Sequence, residues 1–515
     1  MELELFMQPN KQLPCSRVLK RLTLVLGHSV LICLGWADVE LAPLFRDGAV
    51  LQRDKPIPVW GTGTPGERLR LQFKSQDTEA LVDDNGHWTV MLAPEPASTE
   101  SAEIRITGRI SNISVGNVLI GDVWLCSGQS NMEFKLAAAS GGERDVALAE
   151  DPLLRHFRVP KVPASIPQSD CEGKWEVSTP TTAAGFTAVG YYFAHEWRKR
   201  TGVPVGLINS SWGGTQIESW ISEKGLQGHE LAGAIAARWQ AWVAEYPERA
   251  KIRKAAMEKW RQERDAAALA GKPFTRREPA APEGAGSRWE PSSLYNGMLN
   301  PLVPYALRGF LWYQGEANVA RAGEYSRLLP LMIRQWREDF QQGELPFALV
   351  QLANYQSKVD KTGVQWAFLR ETQSAARALP ATGMAVTIDI GNPTNIHPSN
   401  KQEVGRRLAL WAKSHILGDP PECNGPECAG VEIEGSLLRV RFKHAAGLRH
   451  TGPSAVGFEV AGKDRVFYPA SALIDGSSVT VSASQVPNPV AVRYAWRNSP
   501  EASLFNAAGL PAGPF

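Results

Sequence analysis

Through residues 44–114 apolar and polar side chains alternate. "LRLQF" (69–73), "GHWTVML" (86–92) and "AEIRITGRI" (102–110) carry that alternation, and "WGTGTPGE" (60–67) breaks it with a turn. Period two with frequent turns predicts short strands, each with one buried face. From residue 115 the pattern changes. Wholly apolar runs appear in "NVLIGDVWLC" (117–126), "VPVGLINSSW" (203–212), "ALRGFLWYQG" (306–315), "LPFALVQLA" (345–353) and "GMAVTIDIG" (383–391). Amphipathic stretches fall between and after them: "TAVGYYFAHEWRKRTG" (187–202), "YSRLLPLMIRQWREDF" (325–340) and "KQEVGRRLALWAKSHILG" (401–418). Strands buried on both faces, alternating with helices, predict an α/β fold with a parallel sheet. Alternating strands return from about residue 431 ("GVEIEGSLLRVRFKHA", "SSVTVSAS", "PVAVRYAW").

These changes divide the chain into an N-terminal β region (38–114), an α/β domain (115–418) and a C-terminal β region (425–515). The α/β pattern is interrupted at 229–290. "RAKIRKAAMEKWRQERDAAALAG" and "PAAPEGAGS" predict one or two exposed helices and a loop, either a solvated excursion or a lid over a site. Ahead of all this, Arg17, Lys20 and Arg21 precede the apolar run "LTLVLGHSVLICLGWA" (22–37). A basic flank, a short apolar core and a small final residue predict a secretory signal over 1–37, hence a periplasmic or secreted protein. The run is shorter than the ~20 residues a membrane span needs.

Composition adds exclusions. The 515 residues are 43% hydrophobic and 21% charged, with a formal net charge of +2. That balance lacks the basic field of a nucleic-acid or membrane-surface binder. Seventeen tryptophans favour a carbohydrate ligand, because indoles stack on sugar rings. After removal of the signal, Cys126, Cys171, Cys423 and Cys428 remain, and "CNGPEC" (423–428) places two of them where a turn could close a small disulfide. No His-Cys cluster has the spacing of a zinc site, and the chemistry below needs neither metal nor cofactor.

Ligands of parallel α/β sheets bind beyond the carboxyl ends of the strands. Four strand ends here run into polar turns: "SGQSNM" (127–132), "SSWGGTQIESW" (210–220), "QGEAN" (314–318) and "GNPTNIHP" (391–398). Together they supply a hydroxyl (Ser130), unobstructed backbone N–H groups (Gly213, Gly214), amides (Gln314, Asn318) and an imidazole (His397). A serine hydrolase needs this set: nucleophile, base and oxyanion donors.

The four blocks resemble those of the SGNH hydrolase superfamily, specifically its sialate O-acetylesterase-like branch. "GQSNM", "WGGT", "WYQGEAN" and "IHPSNKQEVGRRLAL" stand in that order, and "LFRDGAVLQRDKPIPVWG" and "LYNGMLNPLVPYALRGFLWYQGE" extend the likeness over most of 44–411. The resemblance implies an SGNH-hydrolase-like parallel sheet flanked by helices, with β-sandwich-type regions at both ends. It implies Ser130 as nucleophile and His397 as base, with an oxyanion hole from the Ser130 and Gly213 N–H groups and the Gln314 amide. Asn318 and Trp212 become candidate substrate contacts. Many members carry Asp three residues before the histidine; here that residue is Thr394. Either a dyad operates or Asp389, at the end of the preceding strand, orients His397. Glu316 is expected to pair with an arginine such as Arg370. The implied reaction is deacetylation of a carbohydrate ester through an acetyl-enzyme. Two substrates are in view, plant hemicellulose (xyloglucan or xylan) and O-acetylated sialate. A non-catalytic glycan binder on the same fold is the third reading. The absence of basic residues inside the four loops favours a neutral glycan, and the sequence carries no signal for oligomeric state.

Overall fold

The computed structural model describes residues 38–419 and 422–515. The expected signal over 1–37 lies outside them. The fold is organised about one strand, Asn112–Gly128, which is 17 residues long where ~5–6 is usual. Its first half pairs antiparallel with Ser98–Thr107 and parallel with Val50–Gln52. Its second half is parallel to Val205–Ser211 on one side and Gly309–Tyr313 on the other. The expected boundary at 114/115 therefore falls inside a strand. Burial changes from alternating to continuous at Val118, where a bulge interrupts the register without ending the ladder, so both strand sets share one sheet.

Across the α/β region the order is Trp175–Ser178, Asp151–Arg158, Val205–Ser211, Asn112–Gly128, Gly309–Tyr313, Phe347–Val350, Thr382–Ala385. All are parallel except the Trp175–Ser178 edge. The chain fills one side of the long strand first and then crosses to the other. That reversal opens a crevice at the carboxyl end of the long strand, where Ser130 follows. Helices Ala188–Thr201 and Lys401–Leu417 pack together. They approach so closely that a Cβ on Gly405 would stand 2.6 Å from the Phe193 nitrogen. Helix Ala322–Phe340 packs against Gln365–Ala375.

The insertion forms helices Ala232–Ala244 and Tyr246–Leu269, the second with no buried residue. The C-terminal β region builds a four-stranded sheet and two smaller ones around its own apolar cluster, into which Ile388 of the α/β domain is inserted. Arg370 joins the two regions. Its fully buried guanidinium donates to the carbonyls of Leu352, Ala353, Arg497 and Asn498. With no carboxylate beside it, burial lowers its pKa to about 9. It is therefore unavailable to Glu316, contrary to the sequence expectation. Cys126, Cys171, Cys423 and Cys428 are all unpaired, so the expected turn disulfide is not formed.

Candidate active site

The long strand ends at Gly128, whose φ is +133°. A Cβ there would lie 2.2 Å from the Tyr313 carbonyl oxygen. Only glycine lets the strand leave the sheet this close to its neighbour. The next residues open a four-residue helix, Ser130–Glu133. The amides on either side of Ser130, Gln129 and Asn131, bond to other loops. Gln129 Oε1 accepts from the N–H groups of Gly315 and Ala317 at 3.3 Å each, and its N–H donates to Tyr313 O. Asn131 Nδ2 donates to Glu316 Oε1 (2.6 Å) and to Ile396 O (3.0 Å). The Trp212 N–H donates to Gly128 O. One loop thus pins the other three around Ser130.

Ser130 Oγ and His397 Nε2 are 2.8 Å apart, and both residues are half-buried. A hydroxyl at this distance from an imidazole is placed to lose its proton as it attacks a carbonyl. The His397 backbone N–H donates to Asn395 Oδ1, which fixes the turn that carries it. Among the described residues no carboxylate bonds the His397 ring. Asp389, the candidate orienting acid, spends both oxygens on Arg407 at 2.7 Å. A guanidinium fork offers a carboxylate two charge-assisted bonds, more than an imidazole can, and Glu403 completes the cluster. Thr394 is exposed and bonds Asn392. Among the described residues, Ser130 and His397 thus meet with Asp389 turned to Arg407.

Each of the expected oxyanion donors, Ser130, Gly213 and Gln314, has its own surroundings. The Ser130 N–H opens the short helix, where no preceding turn supplies an acceptor. The Gly213 N–H lies beside Ser130 but donates to Glu133 Oε2 at 2.9 Å. Gln314 is fully buried, and its amide nitrogen is used by Thr215 O and Asn318 Oδ1. Asn318 is likewise buried, donating to Glu218 and accepting from the Ile217 N–H. Both amides are engaged by fixed partners, and neither is hydrogen-bonded to the Ser130 hydroxyl. Trp212 does stand at the mouth, half-buried, with Lys161 and Arg288 each 5.7 Å from its ring.

Two residues were missed by sequence reasoning. Lys401 is fully buried; its ammonium donates to Asn131 Oδ1 and lies 4.9 Å from the Phe134 ring and 5.2 Å from the Tyr313 ring. Burial pushes its pKa down to about 7, against an upward pull from Glu316. Burial raises that of Glu316 in turn. His397 is held below its ordinary value by burial and then by the Lys401 charge, while Glu133 pulls it upward. The signal for Lys401 was its place on the apolar stripe with Val404, Leu408 and Trp411, a stripe that should contain no cation. Glu133 gave no such signal.

Comparison with known proteins identifies the family. The family model "Carbohydrate esterase, sialic acid-specific acetylesterase" matches residues 120–253 and 279–413, over half of the chain. The chain belongs to this family. The sialate O-acetylesterases of Homo sapiens and Pongo abelii are each 27% identical to it over 96% of both chains. The crystal structure of a carbohydrate acetylesterase from Xanthomonas citri is 39% identical, with a TM-score of 0.79. It covers 93% of this chain and 99% of that one. The protein is accordingly an esterase acting on acetylated carbohydrate, built on a central mixed sheet flanked by helices. All four polar loops, at 127–132, 210–220, 314–318 and 391–398, fall within the matched segments.

Proposed function

We propose that this esterase deacetylates a neutral, hemicellulose-type glycan through an acetyl-enzyme on Ser130, using a Ser-His dyad. His397 takes the Ser130 proton as Oγ attacks the acetyl carbonyl. The tetrahedral oxyanion is met by the Ser130 N–H and by the Gly213 N–H, from which the substrate oxygen displaces Glu133. Lys161, already bonded to Glu133, keeps the displaced carboxylate paired. Each oxyanion donor contributes ~3–4 kcal/mol to the barrier reduction. His397 then returns the proton to the departing sugar hydroxyl. A water attacks the acetyl-enzyme with His397 again as base, releasing acetate. The observation that carries this reading is the 2.8 Å Ser130–His397 contact at the convergence of four loops.

The preference for a neutral glycan is supported by charge pairing at the mouth. Lys161 faces Glu133, and Arg288 faces Glu283 at 2.9 Å. A sialate carboxylate would have to displace one of these partners. The 27% identical sialate O-acetylesterases favour the second reading, O-acetylated sialate. The apolar run at 22–37 supports export. Acetate release from acetyl-xylan, acetyl-xyloglucan and 9-O-acetyl sialic acid decides between the two: turnover confined to the sialate would refute the neutral-glycan reading.

A further inference from the structure

Beside the glycine block, the insertion closes a cavity of about 210 Å³. Three of its walls are indoles: Trp239 and Trp242 from helix Ala232–Ala244, and Trp289 from the returning loop. Trp242 and Trp289 rings are 5.1 Å apart, and Arg249 lies 3.8 Å from the Trp242 ring. Trp239 is different. It is half-buried, and among the described residues it has neither a ring partner nor an acceptor for its indole N–H. A second cavity, of about 460 Å³, shares Ile235, Trp239 and Pro291 with the first, so Trp239 stands between two adjoining hollows.

The polar wall is held from the catalytic loops. Gln314 Nε2 donates to Asn318 Oδ1, Asn318 Nδ2 donates to Glu218 Oε2, and Glu218 Oε1 accepts from Arg238 and Arg321. Arg238 also grips both oxygens of Glu324. Two guanidinium groups thus face two carboxylates, and the wall carries no net charge. On the other side, the Trp289 indole donates to Gly214 O and Arg288 donates to Gly213 O. Gly213 itself packs against Ser130. Through Trp289, Gly214 and Gly213 the cavity wall is tied to the segment that carries Ser130.

We propose that these two hollows form a glycan subsite in which the Trp239 indole carries a ring of a neutral oligosaccharide whose acetyl group reaches Ser130. A pyranose presents apolar C–H faces and a rim of hydroxyls. An indole with an open face suits the first, and charge-balanced Arg-Glu pairs, offering donors and acceptors together, suit the second. The smaller hollow is below the ~300 Å³ of pockets for drug-sized ligands and fits one ring. Its continuation past Trp239 fits a chain. An anionic sugar finds no unpaired cation on this wall. The insertion is then part of the binding surface, and Asn318 acts on substrate through Glu218 and not by contact. The inference extends the neutral-glycan reading to the residues that select it.

The test is calorimetric titration of the Ser130→Ala protein with xylotetraose, cellotetraose and 3′-sialyllactose. At least one neutral tetrasaccharide is expected to bind more tightly than sialyllactose. Trp239→Ala in that background is expected to raise its Kd at least tenfold, and Trp239→Phe to restore most of the affinity. The thermal midpoint of both variants should stay within a few degrees, so that misfolding is not mistaken for lost contact. Absence of binding by every neutral tetrasaccharide, an unchanged Kd in Trp239→Ala, or tighter binding of sialyllactose overturns the subsite. Acetate release by the Ser130 enzyme is measured separately: if wild type deacetylates a neutral glycan while Trp239→Ala binds normally, the subsite fails and the function stands.

Discussion

Replacing Lys401 with methionine removes one charge and keeps the shape of the side chain. In the structure that charge does two things. It holds Asn131 Oδ1, on the residue next to Ser130, and it lowers the proton affinity of His397. A hydrogen bond to a charged group is worth ~1.5–3 kcal/mol, and each ~1.4 kcal/mol is a factor of ten. If that bond is what positions Ser130, kcat falls roughly 10- to 100-fold with KM little changed. The pH profile gives a second, independent readout. In the proposed dyad the base is neutral His397, so activity is lost as pH falls through its pKa, which lies below the ordinary ~6.5. Lys401, with a pKa of about 7, is charged throughout that range. Its removal therefore moves the acid limb of kcat/KM upward. Stability is a poorer probe, because the orphaned Asn131 oxygen costs ~1–3 kcal/mol while relief of a buried cation opposes it. The assay is kcat and KM for p-nitrophenyl acetate from pH 4.5 to 8.5, with circular dichroism to verify folding. A folded Lys401→Met enzyme with unchanged kcat and an unmoved acid limb would refute the positioning role.

Three further changes probe the other assignments. Glu133→Ala should shift the acid limb downward, opposite to Lys401→Met, and raise kcat/KM for the aryl acetate by freeing the Gly213 N–H; a fall in kcat/KM, measured over the same pH range, contradicts the proposed displacement. Asp389→Asn should lower kcat less than tenfold, against the ~10⁴ lost with a triad aspartate. Its stability loss in urea melts should stay below the ~3–5 kcal/mol of a broken buried pair, because Glu403 still faces Arg407. Arg370→Met should expose the C-terminal β region to limited proteolysis before the α/β domain, since four carbonyls lose their donor. An unchanged cleavage pattern would deny that role.

The strands, the helices and the positions of the four loops were legible because each is written locally. A continuous apolar run, an amphipathic repeat and a Gly-rich turn each specify their own backbone. The meeting of Ser130 and His397 was foreseeable for the same reason, since each stands on one of these turns. Partner choice was not. Asp389, Gly213, Gln314 and Asn318 all lie in or beside the expected loops, yet each side chain or N–H is used by a group distant in sequence: Arg407, Glu133, Thr215 and Glu218. Such choices are settled by competition among several donors once the chain has folded. The run-through of Asn112–Gly128 was hidden because the change of burial within a strand resembles a boundary between two. Lys401 was the one detectable omission, a cation on an apolar stripe.

The proposed reaction depends on Ser130 as the attacking group with His397 as its base. Its most direct test is acetate release from acetyl-xyloglucan and acetyl-xylan by the wild type and by Ser130→Ala, each confirmed folded. Release from at least one polymer by the wild type and a loss of at least ~10³-fold in Ser130→Ala are expected. Retention of activity within tenfold by Ser130→Ala would contradict it.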